Sequence, residues 1–547
     1  MTNFDADFSY TKSKSNLNIS FNRIAFIFFI FLIIALVFSS KVIYLGLSKK
    51  NITDQLSIKS DFRSSILDRY GNILAKTVIT TNIGINPNLV LDKKKLIINL
   101  KLIFPNKDYK EIKKKLNEDK FFYFEKKIDQ AKLDQLILLG DKSIILEEKI
   151  SRIYPQRELF SHIIGQIDDD NNGISGVEKS FDYELRTLED SLELTLDTEL
   201  QYLIREELIK SEKIFNNIGS AAILMNVGNG EILSMISLPD FDLNMRDEIK
   251  NSIFINRATK GVYELGSVFK TFTFAAALNE GLIEPETQFL NLKKKIKCGK
   301  NIIGEYDDKI PSNLTAEQIL IQSGNIGSVR IGQKLGQEKL KSFLEKIGIL
   351  NKIDFDIEEV GKPLDFKWGK CKLATASFGH GITTTPLQLA KAYAIISNGG
   401  YDVKPSIIKK NKKHELKNKI LKDEISEKIN LILRKIVSTK EGTAGFANID
   451  GYEVGGKTGT AQKTSLGGYS KEKVNTFAAI FPASNPKFVL VVLLDEPKPN
   501  QEYIYHFNDG SGGYKYKGNW RNTAGWTTVE IAGKIIKAIG PILATKY

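Results

Sequence analysis

At 547 residues, with 42% hydrophobic and 10% aromatic side chains, the chain can bury a sizeable core and divide into two or three domains, which excludes a disordered tail. The formal charge of +13 invites a nucleic-acid or anionic partner, but Lys is scattered with Asp and Glu between and no basic stripe emerges, so no nucleic acid is expected. Cys298 and Cys371 are too few for a disulfide scaffold, and neither they nor His162, His380, His414 and His506 are spaced as ligands, so no metal and no cofactor are expected. One bridge between the two cysteines and two free thiols both stay open.

From Ile24 to Phe38 the run IAFIFFIFLIIALVF carries no charge, and Ser39, Ser40 and then Val42 to Leu47 past Lys41 lengthen it. About 20 such residues suffice to cross a bilayer as a helix. The run exceeds the usual core of a signal peptide and no clear small-x-small cleavage site follows. An uncleaved anchor over residues 24–47 is therefore expected, with residues 1–23 as a cytoplasmic tail. Lys12, Lys14 and Arg23 before the run are matched by Lys41, Lys49, Lys50 and Lys59 after it, so the positive-inside count does not fix the orientation.

Residues 48–190 read as a non-catalytic α+β pedestal of the dimerisation type that positions the domain behind it and offers a docking surface. Ser64 to Ala75 predicts two short strands around a Gly71-Asn72 turn. Leu91 to Leu139 is dense in Lys, Glu, Asp and Ile at helical intervals, the pattern of amphipathic helices with a solvated face. Turn-rich sequence follows through Arg152-Ile153-Tyr154-Pro155 and Gly173 to Glu178.

Residues 191–547 form the second domain. A helix is predicted from Thr198 to Ser211, then a hairpin of Ser220–Met225 and Glu231–Ile236 around Asn226–Gly230. Helical segments follow at Ser267–Glu280, Thr315–Lys334, Glu338–Lys346 and Pro386–Ser397. Strands are expected at Tyr452–Ala461, Thr476–Phe481 and Phe488–Leu494. Strands at both ends with helices between predict a layered α/β domain whose sheet is assembled from distant parts of the chain.

Three strings occur in order: Ser267-Val268-Phe269-Lys270, Ser323-Gly324-Asn325 and Lys457-Thr458-Gly459-Thr460. They read as SxxK, SxN and KTG, the corners of a serine acyl-transfer site. SxxK alone means little, since Ser9, Ser406, Ser470 and Ser484 match it too, and an isolated one is an N-cap beside a surface lysine. In the series, Ser267 opens a helix where free N–H groups gather, and Lys270 follows one turn later on the same face. A desolvated amine there has its pKa lowered enough to take the serine proton. Ser323 can relay a proton between Lys270 and the leaving amine, and Asn325 can hold a substrate amide, both presented where Gly324 breaks the helix. Gly459 beside Thr458 lets substrate backbone line up along a strand edge, Lys457 supplies positive charge, and the Thr458 and Thr460 hydroxyls can bind a carboxylate. The N–H groups of Ser267 and Thr460 form the expected oxyanion hole.

Gly451 to Thr458 also matches the phosphate-binding loop GxxxxGK[ST]. That loop follows a buried strand and opens a helix. Asn448-Ile449-Asp450 is a poor strand and Thr464 to Gly468 forbids a helix start, so an NTPase is not expected.

At these residues the chain resembles the class B penicillin-binding proteins, over nearly everything from about Arg63 to Trp526. Framing strings include Asn256-Arg257-Ala258, Tyr263 to Ser267, and Gly379-His380-Gly381 through Gln388. Gly173 to Asp182 and Tyr263 to Ser267 are most similar to the division-specific transpeptidase, with the elongation-specific relative the near alternative. The resemblance implies a C-terminal domain like that of serine β-lactamases, a mainly antiparallel sheet with helices on both sides. It implies that Ser267 opens the D-Ala–D-Ala bond of a lipid II-derived peptidoglycan stem peptide and passes the acyl group to a neighbouring amine. It also implies acylation by β-lactams, a periplasmic catalytic domain on an inner-membrane anchor, and an FtsW-type glycan polymerase and other divisome membrane proteins as partners. Leu265 and Gly324 depart from the proline and serine that many relatives carry. A β-lactamase shares the three strings but no glutamate motif for water activation stands out here; a β-lactam sensor and a catalytically silent divisome scaffold are the other readings.

Overall fold

The computed structural model describes residues 14–47, 62–188, 190–245, 253–299, 301–365, 367–369, 371–410, 418–465, 468–507, 514–519 and 521–547. The expected tail before Lys14, the start of the 48–190 module, His414 and part of the Thr464–Gly468 turn lie outside these residues. The chain forms two compact units, Met1–Ser60 and Asp61–Tyr547. The first holds helix α1 (Lys14–Leu47), whose stretch Ala25–Ile43 has a mean hydropathy of 2.7 and is long and apolar enough to cross a membrane. Its apolar side chains from Phe26 to Ile43 are exposed, as a lipid-facing surface requires.

The second unit begins with β1 (Ile66–Leu67), a turn at Gly71, and β2 (Ile73–Ile85). Helices α2 (Lys93–Ile103) and α3 (Tyr109–Leu116) follow, then β3 (Phe122–Ile128), α4 (Gln130–Leu139) and β4 (Ile144–Ile153). Each of the three helices starts on an aspartate, Asp92, Asp108 or Asp129, whose carboxylate accepts from free N–H groups of the first turn. The expectation of helix throughout Leu91–Leu139 is corrected at β3, which pairs antiparallel with the second half of β2, while β4 runs along most of β2. Leu96, Leu100, Phe104, Leu116, Phe124 and Leu136 close over Ile83 and Ile85 as a small core of their own.

The segments that flank this small core share the main core instead, with Ile66, Leu74, Phe160, Ile163 and Val177 continuous with the rest of the unit. A buried ion cluster fastens these segments. Arg63 Nε donates to Glu178 Oε2 at 2.9 Å, and Arg152 Nε donates to Glu178 Oε1 at 2.7 Å. All three side chains are almost fully removed from solvent.

The rest of the unit opens with α5 (Thr198–Phe215), β5 (Gly219–Asn226) and β6 (Ile232–Leu238). Next come α6 (Lys270–Asn279), the hairpin β7 (Lys295–Cys298) and β8 (Asn301–Gly304), α7 (Ala316–Ile321), α8 (Asn325–Leu335), α9 (Pro386–Ser397) and α10 (Asp423–Ser438). The chain finishes with β9 (Gly455–Ser465), β10 (Gly468–Phe481), β11 (Phe488–Asp495) and α11 (Thr528–Lys546). Five strands make one antiparallel sheet in the order β9-β10-β11-β5-β6, and one line of partners runs Lys457, Ala478, Val491, Ile223, Met235 across it. Helices α5 and α11 cover one face, and α9 and α10 the other. Buried on both faces, β5, β6 and β11 read as mainly apolar runs without polar alternation, each large apolar side chain contributing about 1.5–3 kcal/mol of transfer free energy. The predicted layering thus matches the fold, and the helical stretch Thr315–Lys334, expected to break at Gly324, is two helices, α7 and α8.

Candidate active site

Two glycines set how close the edge strand β9 comes to the segment that carries Ser267. A Cβ on Gly459 would stand 2.1 Å from the Leu265 carbonyl oxygen, and one on Gly266 would stand 2.7 Å from the Thr460 carbonyl oxygen. Gly266 also takes φ +64°, which a side chain would resist. Their bare backbones let β9 lie against the turn before Ser267.

A short 3₁₀ segment, Gly266–Phe269, carries Ser267 into α6, so the SxxK string straddles the junction of the two helix types. Lys270 is buried, and its Nζ donates to the Ser323 carbonyl at 2.5 Å, to Asn325 Oδ1 at 2.7 Å and to Ser323 Oγ at 3.2 Å. Lys457 reaches the same hydroxyl from β9, its Nζ lying 2.8 Å from Ser323 Oγ and 3.0 Å from the Thr458 carbonyl. The Ser323 hydroxyl therefore sits between two amines.

The break that presents Ser323 falls one residue earlier than expected. Ser323 itself adopts φ +57°, whereas Gly324 has φ −64° and ψ 128°, ordinary extended backbone. A Cβ on Gly324 would meet nothing nearer than 3.7 Å, so there is room for a side chain there. Asn325 is fixed on three sides: its Nδ2 donates to the Gly304 carbonyl at 2.8 Å, its backbone N–H donates to Glu305 Oε2 at 2.6 Å, and its Oδ1 accepts from Lys270. Glu305 Oε1 also accepts from the Ile326 N–H at 2.9 Å, a capping carboxylate at the start of α8. The β7–β8 hairpin that leads to these groups is tied down by a Cys298–Cys371 disulfide with a Cα–Cα distance of 5.6 Å.

Burial dominates the electrostatics. Desolvation lowers the Lys270 amine to about 7, although the nearby Glu305 carboxylate pulls the other way. Desolvation, with the charge of Lys270 beside it, pushes Lys457 well below the ordinary lysine range, so the positive charge expected there is costly. An entering carboxylate offsets that cost.

These groups line a cleft of about 1090 Å³ that takes in Ser267, Ser323, Asn325, Thr458 and Thr460, with Phe446, Tyr516 and Trp526 as an aromatic wall. Thr458 Oγ1 lies 2.8 Å from Thr443 Oγ1, and Thr460 Oγ1 accepts from the Ala524 N–H at 2.9 Å. The structure thus brings together all eight residues singled out in the sequence, Gly459 included as the point of close approach. Glu305 and Thr443 were not legible there. Glu305 lies 20 residues before the asparagine whose N–H it accepts from, and Thr443 in a helix-to-strand connection, with no motif to mark either.

Residues 220–511 match the family described as the penicillin-binding protein transpeptidase domain, and residues 61–210 match the penicillin-binding protein dimerisation domain. The chain belongs to the class B penicillin-binding proteins. As such a penicillin-binding protein it is an enzyme of the transpeptidase family. It is 29% identical over 500 residues to the probable peptidoglycan D,D-transpeptidase FtsI of Caulobacter vibrioides, covering 88% of this chain and 82% of that one. It is 30% identical over 524 residues to the peptidoglycan D,D-transpeptidase FtsI of Buchnera aphidicola subsp. Baizongia pistaciae, covering 86% and 88%. The stage V sporulation protein D of Bacillus subtilis is 30% identical over 496 residues, covering 80% and 74%. Among solved structures, penicillin-binding protein 3 of Mycobacterium tuberculosis, complexed with aztreonam, superposes with a TM-score of 0.65 at 21% identity, covering 88% of this penicillin-binding protein and 96% of that chain, a likeness of fold.

Proposed function

We propose that this protein is the division-specific peptidoglycan D,D-transpeptidase, cross-linking stem peptides at the septum through an acyl-enzyme on Ser267. The observation that carries this reading is the buried amine of Lys270, lowered to about 7, sharing the Ser323 hydroxyl with Lys457 in the cleft that Ser267 lines. Neutral Lys270 takes the Ser267 proton as Oγ attacks the carbonyl carbon of the D-Ala–D-Ala bond. The N–H groups of Ser267 and Thr460 hold the oxyanion, worth a few kcal/mol. Ser323 passes the proton to the departing D-alanine nitrogen, the C–N bond breaks, and an ester on Ser267 remains. Asn325 holds the stem amide, while Lys457, Thr458 and Thr460 receive the terminal carboxylate along the β9 edge that Gly459 leaves open. An amine of a second stem then attacks the ester.

β-Lactams acylate the same serine and stay there. Residues 24–47 anchor the protein in the inner membrane as a single span with residues 1–23 in the cytoplasm. Residues 48–190 serve as the pedestal and 191–547 as the periplasmic transpeptidase domain, working beside an FtsW-type glycan polymerase and other divisome membrane proteins. The experiment is covalent labelling of the full chain by a fluorescent penicillin, beside Ser267→Ala and Lys270→Ala. Stable labelling lost in both variants supports the reading. Rapid hydrolysis of the label favours a β-lactamase, and no labelling of the folded wild type favours a silent scaffold.

A further inference from the structure

His380 has no part in the chemistry above, yet it lines the same cleft as Ser267. Its neighbour Gly379 packs so tightly on the nucleophile turn that a Cβ would stand 2.0 Å from the Gly266 carbonyl oxygen. His380 is therefore held beside the turn that carries Ser267. Its backbone N–H is fixed by the Thr375 carbonyl at 2.9 Å, and its ring lies between Phe378, at 5.9 Å, and Tyr469, at 4.7 Å between centroids.

Behind the ring stands a carboxylate. Glu264, with its side chain 8% exposed, has Oε2 at 3.9 Å from His380 Nδ1, which leaves the other ring nitrogen for the cleft. The Gly381 N–H donates to Glu264 Oε2 at 3.0 Å and the Tyr469 hydroxyl donates to Oε1 at 3.0 Å. Both of those partners are neutral, so the carboxylate keeps its charge for the imidazole. The titratable groups that face His380 are Glu264, Tyr469 and Lys372; burial lowers its pKa first, Glu264 raises it and Lys372 lowers it. At neutral pH the ring is free to accept a proton.

Such a base answers a need of the reaction's second half. An acceptor amine with an ordinary alkylamine pKa arrives as an ammonium and cannot attack until it loses a proton. Lys270 and Lys457 are both buried with their amines already bonded to Ser323. Among the described residues that line the cleft, His380 is the one imidazole.

We propose that His380, backed by Glu264, is the base that takes the proton of the acceptor amine, and that with Tyr469 it forms one wall of the acceptor subsite. The ammonium passes one proton to the imidazole and becomes a neutral amine. The imidazolium so formed is stabilised by the Glu264 carboxylate, in the manner of a histidine backed by an acid. The nitrogen lone pair attacks the ester carbon, the new C–N bond forms as the bond to Ser267 Oγ breaks, and the second nitrogen proton ends on Ser267 Oγ by way of Lys270.

This inference rests on the transpeptidase reading, and the test separates the two. The full chain in detergent micelles receives an N-acyl-D-alanyl thioester as donor and D-alanine as acceptor, and the ratio of aminolysis to hydrolysis is read from about pH 6 to 9, spanning the range in which histidine titrates. The ratio counts only molecules already acylated, so changes in acylation rate cancel. His380→Gln is expected to lower it on the order of 10²-fold, the lower end of general-base effects. Glu264→Gln keeps the imidazole and is expected to move the pH at which the ratio rises to a lower value, because the carboxylate raises the imidazole pKa. An unchanged ratio in His380→Gln, or a pH limb left in place by Glu264→Gln, overturns the assignment while wild-type aminolysis still supports the enzyme. A folded wild-type chain that the donor does not acylate overturns both.

Discussion

The lowered amine of Lys270 makes the pH dependence of acylation a direct test of the site. An ordinary lysine titrates near 10.5, and burial brings Lys270 to about 7, a difference of about 5 kcal/mol between its charged and neutral forms. At pH 7 about half of the molecules then carry the neutral base, against roughly one in several thousand for an unperturbed lysine. Because Lys270 is expected to act only when neutral, the pseudo-first-order rate of labelling by a fluorescent penicillin falls about tenfold per pH unit below 7 and levels off above it. Glu305→Gln sharpens the test. Its carboxylate raises the Lys270 pKa, so its removal moves the acid limb to lower pH, whereas a purely structural loss would scale the rate at every pH. The uncharged amide keeps one oxygen for the α8 N–H groups that the carboxylate now serves. A labelling rate flat from pH 5 to 8 in wild type would refute Lys270 as the base, and an unmoved limb in Glu305→Gln would refute the electrostatic account of its tuning.

Folding stability carries the same signature with its own sign. The Lys270 pKa is depressed in the folded state, so the cost of burying its charge is fully present below about pH 7 and fades as pH rises toward 10.5; wild type should gain up to about 5 kcal/mol over that window relative to Lys270→Met, read by denaturant unfolding at several pH values. Glu178→Ala strips the carboxylate from between Arg63 and Arg152, leaves the buried Arg152 guanidinium without a carboxylate and Arg63 with Asp182 alone, and should cost about 3–5 kcal/mol, seen as a lower thermal midpoint of the full chain; loss within the range of a surface substitution would count against the cluster. Gly459→Ala forces a methyl to within 2.1 Å of the Leu265 carbonyl, so β9 must retreat from the turn before Ser267. A cost of about 1–3 kcal/mol is expected together with slower penicillin labelling, and unchanged labelling kinetics would show that the close approach is dispensable.

What the sequence reveals depends on whether a residue's signal is local. Strand β11 is visible because all eight of its side chains are buried, and α9 because Thr385 caps it with Gln388 three residues on and Pro386 opens it. Strands β3 and β4 hide because most of their side chains face water on both sides, so no alternation of apolar and polar survives. Their place is dictated by the long partner β2, a pairing that no local window contains. Helix α10 was legible and passed over: Ile425, Ile429, Ile432, Leu433 and Ile436 form a buried stripe at helical spacing.

Ser323 shows why the break in the α7–α8 stretch was assigned to the wrong residue. Glycine is the usual occupant of the left-handed region, which costs a side-chain-bearing residue about 1–2 kcal/mol, so Gly324 was the natural choice from sequence. The structure puts the strain on Ser323, because in that conformation its carbonyl oxygen accepts from Lys270 while its hydroxyl accepts from Lys457. A glycine at 323 would relax the backbone and delete the hydroxyl that lies between the two amines. The residue that pays the conformational cost is the one whose oxygens meet both amines, while Gly324 is unstrained and has room for a Cβ.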